Sequence, residues 1–169
     1  MSYAKNKRDW CLKKAERELK ESETHRGLIK IKPDSKKAGE HISKAEHYLK
    51  ATDYLKKGNF SDISASTVFY SMYHCLLAIA AKFGYESRNQ ECTFALINSL
   101  IEDNKIDLEK DLLDKVSSLD IEKSKEQTTV EVREQYQYGT NLSLKDDLYK
   151  ELFELAKKII SKTKEIIEE

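Results

Sequence analysis

Proline occurs once in this sequence and glycine five times, and no apolar run is long and unbroken. So few breakers speak against a turn-rich β architecture, and the surplus of Lys, Glu, Leu and Ile favours helix. No segment reaches the ~18 uninterrupted apolar residues of a membrane span. The opening MSYAKNKRDW carries charges with no apolar stretch behind it, so the expectation is a cytoplasmic chain with no membrane partner. Cysteine is scarce too. Cys11, Cys75 and Cys92 form no C-x-x-C and no short pairing, which gives neither a zinc ribbon nor a disulfide framework and reads as buried or half-buried thiols in a reducing compartment. A one-sided charge is missing as well. Thirty basic and thirty acidic side chains cancel, so any binding to nucleic acid must come from a local patch.

The absent motifs narrow the chemistry. There is no phosphate-cradling glycine loop, no G-x-S-x-G, no H-E-x-x-H and no EF-hand loop, and the cysteines and histidines lack ligand spacing. No cofactor and no metal are therefore expected. At 169 residues the chain is one domain, 1–169, large enough for one substantial core.

Against this charged background one stretch stands apart, Ser61 to Gly84, SDISASTVFYSMYHCLLAIAAKFG. At helical spacing Ala65, Val68, Phe69, Met72, Tyr73, Leu76, Leu77 and Ala80 make a wide apolar face, and Ile63, Ala78, Ile79 and Ala81 fill much of the rest. A helix apolar nearly all round belongs inside. The central helix is placed at about 61–83, with Ser61 as its N-cap and Gly84 as its stop.

The other elements are arranged around it. A first helix from about Lys7 to Thr24 has a thin stripe of Trp10, Leu12, Ala15 and Leu19. HRGLIKIKPD is a connector, briefly extended, whose Lys30 and Lys32 with Lys36 and Lys37 are either a phosphate patch or a solvated loop. A second helix runs from an Asp34 cap to Lys57 and stops at Gly58. The short turn after it demands that the second and central helices be antiparallel neighbours. A fourth helix starts near Arg88, and a fifth carries Leu108, Leu112, Val116 and Leu119. The segment at about 121–130 has almost no apolar side chains and reads as mobile or as an exposed helical extension. VEVREQYQYG follows, and SLKD at Ser143 to Asp146 opens the last amphipathic helix. The fold class is all-α, an antiparallel bundle of five to six helices.

Two clusters could carry chemistry. Of four histidines, only His74 lies in the apolar helix, with Tyr70 one turn before it; the pair either locks a structural tautomer or tunes an acid or base. Arg133, Tyr136 and Tyr138 form the second cluster. Arg133 is either a planar phosphate clamp beside phenols that stack on bases, or a partner of Glu134 or Glu131 while the tyrosines seal the bundle edge.

The run Phe69-Tyr70-Ser71-Met72-Tyr73-His74, the leucine-rich helix pair, the late VREQYQYG segment and the final amphipathic helix resemble the HEPN superfamily and, within it, proteins of the UPF0332 type. Phe69 stands where the first tyrosine of that group's Y-Y-A-M-F/Y-H signature is found. The resemblance implies a helical bundle that dimerises, works beside a minimal nucleotidyltransferase, and has toxin-antitoxin-like or RNA-directed roles. Active members of the superfamily are metal-independent ribonucleases with an R-x4-6-H motif. Here Tyr138 stands where the histidine would follow Arg133, and Arg88-Asn89 is likewise followed by none. A phenol with a pKa near ~10 is a poor general base at neutral pH.

The expectation is thus a non-catalytic, homodimeric interaction protein that works with a nucleotidyltransferase-like partner or with RNA. The alternatives are a ribonuclease that brings His74 to Arg133 and a nucleotide or small-ligand binding module. The binding candidates are Tyr70, His74, Arg133, Tyr136 and Tyr138. Self-association is expected through Ile63, Tyr70, His74, Ala78 and Ala81.

Overall fold

The structure, a computed structural model, describes residues 2–117 and 128–168. The described residues form helices α1 (Tyr3–Glu21), α2 (Ser35–Lys57), α3 (Ser61–Lys82), α4 (Gln90–Glu102), α5 (Lys110–Val116), α6 (Thr129–Tyr138) and α7 (Asp146–Glu168). They also contain two short strands, β1 (Leu28–Lys30) and β2 (Tyr85–Ser87). The helical bundle is the expected class, with α6 as an added short helix. Most of the 121–130 segment lies outside the described residues; its last residues cap and open α6.

α2 begins as its sequence dictates. The Asp34 carboxylate accepts from the Lys37 N–H at 2.8 Å, and the helix ends at Gly58, so an orphan donor of the first turn is satisfied. Asn59 then takes a left-handed φ of 64° and the chain reverses into α3. Asparagine tolerates that region better than most side chains. α3 starts without a side-chain cap. Ser61, expected as the cap, is the first helical residue, and its Oγ instead accepts from the Leu144 N–H at 2.9 Å. That bond pins the loop before α7 to the start of α3. After α3, Gly84 has φ 78°, and a Cβ there would lie 2.8 Å from the Ile31 carbonyl oxygen. Glycine is required on both counts.

This tight turn feeds β2 back along β1. The strands are antiparallel, with Leu28 opposite Ser87, Ile29 opposite Glu86 and Lys30 opposite Tyr85. The connector read from the sequence as briefly extended is therefore one strand of a ribbon. α7 starts at Asp146, three residues past the Ser143 expected to open it, with the Lys145 carbonyl accepting from the Tyr149 N–H at 2.9 Å. The capping box of this region belongs to α6, where Thr128 and Glu131 bond each other's backbone.

α3 is the buried axis, packed against α2, α4, α6 and α7. Phe69, Met72, Leu76 and Ile79 are fully buried, each worth roughly 1.5–3 kcal/mol of transfer free energy. Small residues let α2 approach closely, and the buried Ser71 hydroxyl donates to the Ala45 carbonyl across the contact at 2.8 Å. By length and composition α3 could cross a membrane, yet most of it is covered by the rest of the bundle.

Two of the three cysteines, expected as thiols, are paired. Cys11 and Cys92 form a disulfide that joins α1 to α4 across 81 residues of sequence, with Cα atoms 5.8 Å apart. Cys75 alone is a free, buried thiol, which burial pushes up to about 12.

Candidate functional site

Ile63, Thr67, Tyr70 and His74 recur at four- and three-residue steps and so share one stripe of α3. Ile63 and Tyr70 are exposed and His74 is half-buried. Ala78 and Ala81, which the sequence placed with them on a free face, are buried within the bundle. The stripe borders α2, whose antiparallel course brings His41, Lys44 and Tyr48 alongside it.

The contacts there are specific. His74 Nδ1 lies 3.0 Å from His41 Nδ1. One ring must donate and the other accept, so the contact holds one proton and cannot be made by two imidazolium rings. The Tyr48 ring stacks on His74 at 5.5 Å and 21° and touches Tyr70 at 5.7 Å. The Lys44 ammonium sits 5.2 Å over Tyr48. Burial, then His41, then Lys44 lower the His74 pKa to about 4. Burial, with Lys37 adding to it, lowers His41 as well. Both shifts favour the neutral ring.

Arg133 belongs to a different environment. Its guanidinium carbon lies 4.5 Å over the Phe69 ring, a buried cation–π contact. Nη1 reaches Gln90 Oε1 at 3.3 Å and Nη2 reaches Glu134 Oε1 at 3.4 Å. Only 13% of the side chain is exposed, and the buried Nε has no hydrogen-bond partner among the described residues. Glu131, the other carboxylate considered for Arg133, is engaged in the α6 capping box. Arg133 therefore braces α6 against α3.

Tyr136 and Tyr138 part company. Tyr136 packs on the core, whereas Tyr138, the last residue of α6, is 79% exposed. The five-residue step from Arg133 turns a regular helix by about 140°, which is why Tyr138 and Arg133 face different surroundings. The structure thus brings Tyr70 and His74 together and, among the described residues, gives Arg133 and His74 no shared partner. Phe69 and Tyr70 make an edge contact at 5.3 Å, but the polar ends of the two candidates are engaged elsewhere.

Sequence reasoning missed His41 and Tyr48. The signal was present: His41, Lys44 and Tyr48 follow a helical stripe on α2, and laying that helix antiparallel to α3 sets them beside Tyr70 and His74. A groove of about 570 Å³ between α2 and α7 is lined by Leu49, Phe153, Ile160 and charged residues including Glu46 and Lys164. It includes none of the predicted site residues. Among the described residues no three or more His, Cys, Asp or Glu side chains gather as metal ligands would.

The family model of the HEPN domain matches residues 38–168, from early α2 to the end of α7. No curated protein matches the chain. The match covers well over half of the sequence, and the chain belongs to the HEPN domain family.

Proposed function

We propose that this HEPN-domain protein is a non-catalytic, homodimeric interaction module that binds RNA or nucleotide, or works beside a nucleotidyltransferase-type partner, as a UPF0332-type member would. One observation carries the non-catalytic half. Arg133 is spent on Phe69, Gln90 and Glu134, while His74 is held by His41 and Tyr48. With a pKa of about 4, His74 carries a proton in roughly one molecule in a thousand at pH 7. A general acid or base is most effective with a pKa near the working pH, so this ring is suited to hydrogen bonding and stacking.

The binding half is supported by the chemistry of the α2–α3 ridge. Tyr48, Tyr70 and His74 offer aromatic faces beside the Lys44 ammonium, an arrangement that can stack bases and meet phosphate. Arg133, held over Phe69, and Tyr136, packed on the core, serve in this reading to hold α6 in place instead of contacting ligand. Self-association would use Ile63 and its exposed neighbour Phe60. A toxin-antitoxin-like role and a cytoplasmic location belong to the same proposal; the Cys11–Cys92 disulfide is the observation that pulls against a reducing compartment.

The test is binding of mixed-sequence single-stranded RNA and of ATP, with light scattering on the same samples. Wild-type protein should scatter as a dimer, and Tyr70→Ala or His74→Ala should weaken binding at least ~5-fold. Unchanged affinity in both folded variants, or only the 19.6 kDa species at micromolar concentration, would contradict the corresponding half.

A further inference from the structure

The chain's single tryptophan, Trp10, is 47% exposed on α1, with the Lys7 ammonium 4.7 Å and the Lys14 ammonium 5.5 Å from its ring. α1 lies ahead of the region matched by the family model. At ~100° per residue, Tyr3, Lys7, Lys13, Lys14 and Arg17 fall within about 60° of Trp10 on the helix surface. Four cations and two rings therefore share one stripe about 21 Å long. The carboxylates Asp9, Glu16 and Glu18 fall on its flanks and Glu21 lies at its C-terminal end. Asp9 is bonded to Arg8, while Lys7 pairs with Glu91 at 2.8 Å and Lys14 with Glu18 at 3.8 Å, surface pairs weak enough for a phosphate to replace. The opposite side of α1, with Ala4, Cys11 and Ala15, is buried, and the disulfide fixes it to α4.

We infer that the outer stripe of α1 is a binding surface for single-stranded RNA. Unpaired bases stack on Trp10 and Tyr3, and phosphates meet Lys7, Lys13, Lys14 and Arg17. The inference takes its ligand class from the function proposed above, and its site is separate from the α2–α3 ridge. The physical fit is direct. A base can take one face of the indole now occupied by a lysine, and the displaced ammonium is then placed to meet the phosphate beside that base. A duplex hides its base faces and gives the rings nothing to stack on. A bilayer requires an apolar helix face, and in α1 the side carrying Ala4, Cys11 and Ala15 is already turned into the protein.

The experiment is a titration of the full chain with single-stranded RNA of about twelve nucleotides, read by Trp10 fluorescence and, with labelled RNA, by anisotropy. Binding should quench Trp10. Trp10→Ala should weaken affinity roughly 5- to 100-fold. Replacing Lys7, Lys13, Lys14 and Arg17 by Gln should flatten the salt dependence by roughly 0.7 log unit per log of salt for each phosphate no longer neutralised. Circular dichroism establishes that both variants are folded; the charge variant leaves the indole in place and decides the matter if Trp10→Ala does not fold. Anionic vesicles, a poly-glutamate peptide and duplex RNA of the same length complete the set.

RNA binding that survives in both α1 variants but falls in Tyr70→Ala or His74→Ala overturns this site and leaves the proposed function standing. Loss in the α1 variants alone supports the site and removes the ridge from the proposed function. Absence of RNA binding overturns the site and the RNA role together. Tighter binding to vesicles or poly-glutamate than to RNA overturns it in favour of that partner.

Discussion

α3 and α1 are similar in length, 22 and 19 residues, and are held in opposite ways. α3 buries thirteen side chains, among them Phe69, Met72, Leu76 and Ile79. α1 buries only the small Ala4, Cys11 and Ala15. What α1 lacks in packing it gains from the disulfide, from Lys5–Asp103 and Lys7–Glu91 ion pairs at 2.5 and 2.8 Å, and from the β1–β2 ribbon that follows it. Side-chain packing organises the HEPN-matched bundle, while a cross-link and surface charges secure the helix ahead of it. The two helices should therefore respond differently to mutation, reduction and salt.

The largest effect should come from the packed helix. Phe69 is fully buried and carries the Arg133 guanidinium on its face, so Phe69→Ala should cost about 3–5 kcal/mol in urea unfolding. A loss below about 1 kcal/mol would mean that the site collapses without a cavity and that α3 is not the axis. Next comes the cross-link. Cys11→Ser should cost about 2–4 kcal/mol, and amide exchange should quicken in α1 while α3 stays protected. Equal quickening in both helices would show that they open as one unit.

A smaller effect follows from His74. Its folded pKa, about 4, lies below the unfolded value near ~6.5, so the unfolded chain binds the extra proton first. The stabilisation is fully present above pH ~6.5 and drains as pH falls from there towards about 4. For a half-exposed ring, solvent screening reduces the contribution to about 1–2 kcal/mol. His41, lowered by burial and then Lys37, adds in the same direction. Wild-type Tm should fall across that window and His74→Gln should fall less; parallel curves would remove the coupling. Smallest of all, Lys7→Gln breaks the Lys7–Glu91 pair and should cost less than about 1 kcal/mol, vanishing in high salt.

The contrast between the helices also explains what was legible in the sequence. α3 was visible because a nearly all-apolar run in a chain that is 36% charged has one physical resolution, burial. Asp34 and Gly58 marked α2 because their capping chemistry is local. The disulfide was not legible, since Cys11 and Cys92 are 81 residues apart and no short-range pattern connects them. Ser61 illustrates a competing interaction: a good capping residue whose hydroxyl is taken by the Leu144 N–H. In the candidate site, Tyr70 and His74 were readable as neighbours on one helix, but His41 and Tyr48 required knowing how α2 lies against it. The placement of Arg133 on Phe69 depends on the position of α6, which follows the region outside the described residues.

The non-catalytic reading turns on Arg133 and His74 having separate duties. The direct measurement is cleavage of a mixed RNA pool by purified protein with all divalent metal chelated, alongside His74→Ala and Arg133→Ala. Intact RNA is expected in every lane over hours. Chelator-resistant cleavage by the wild type that either substitution abolishes would contradict it, and would mean that the two residues meet in a state other than the one described.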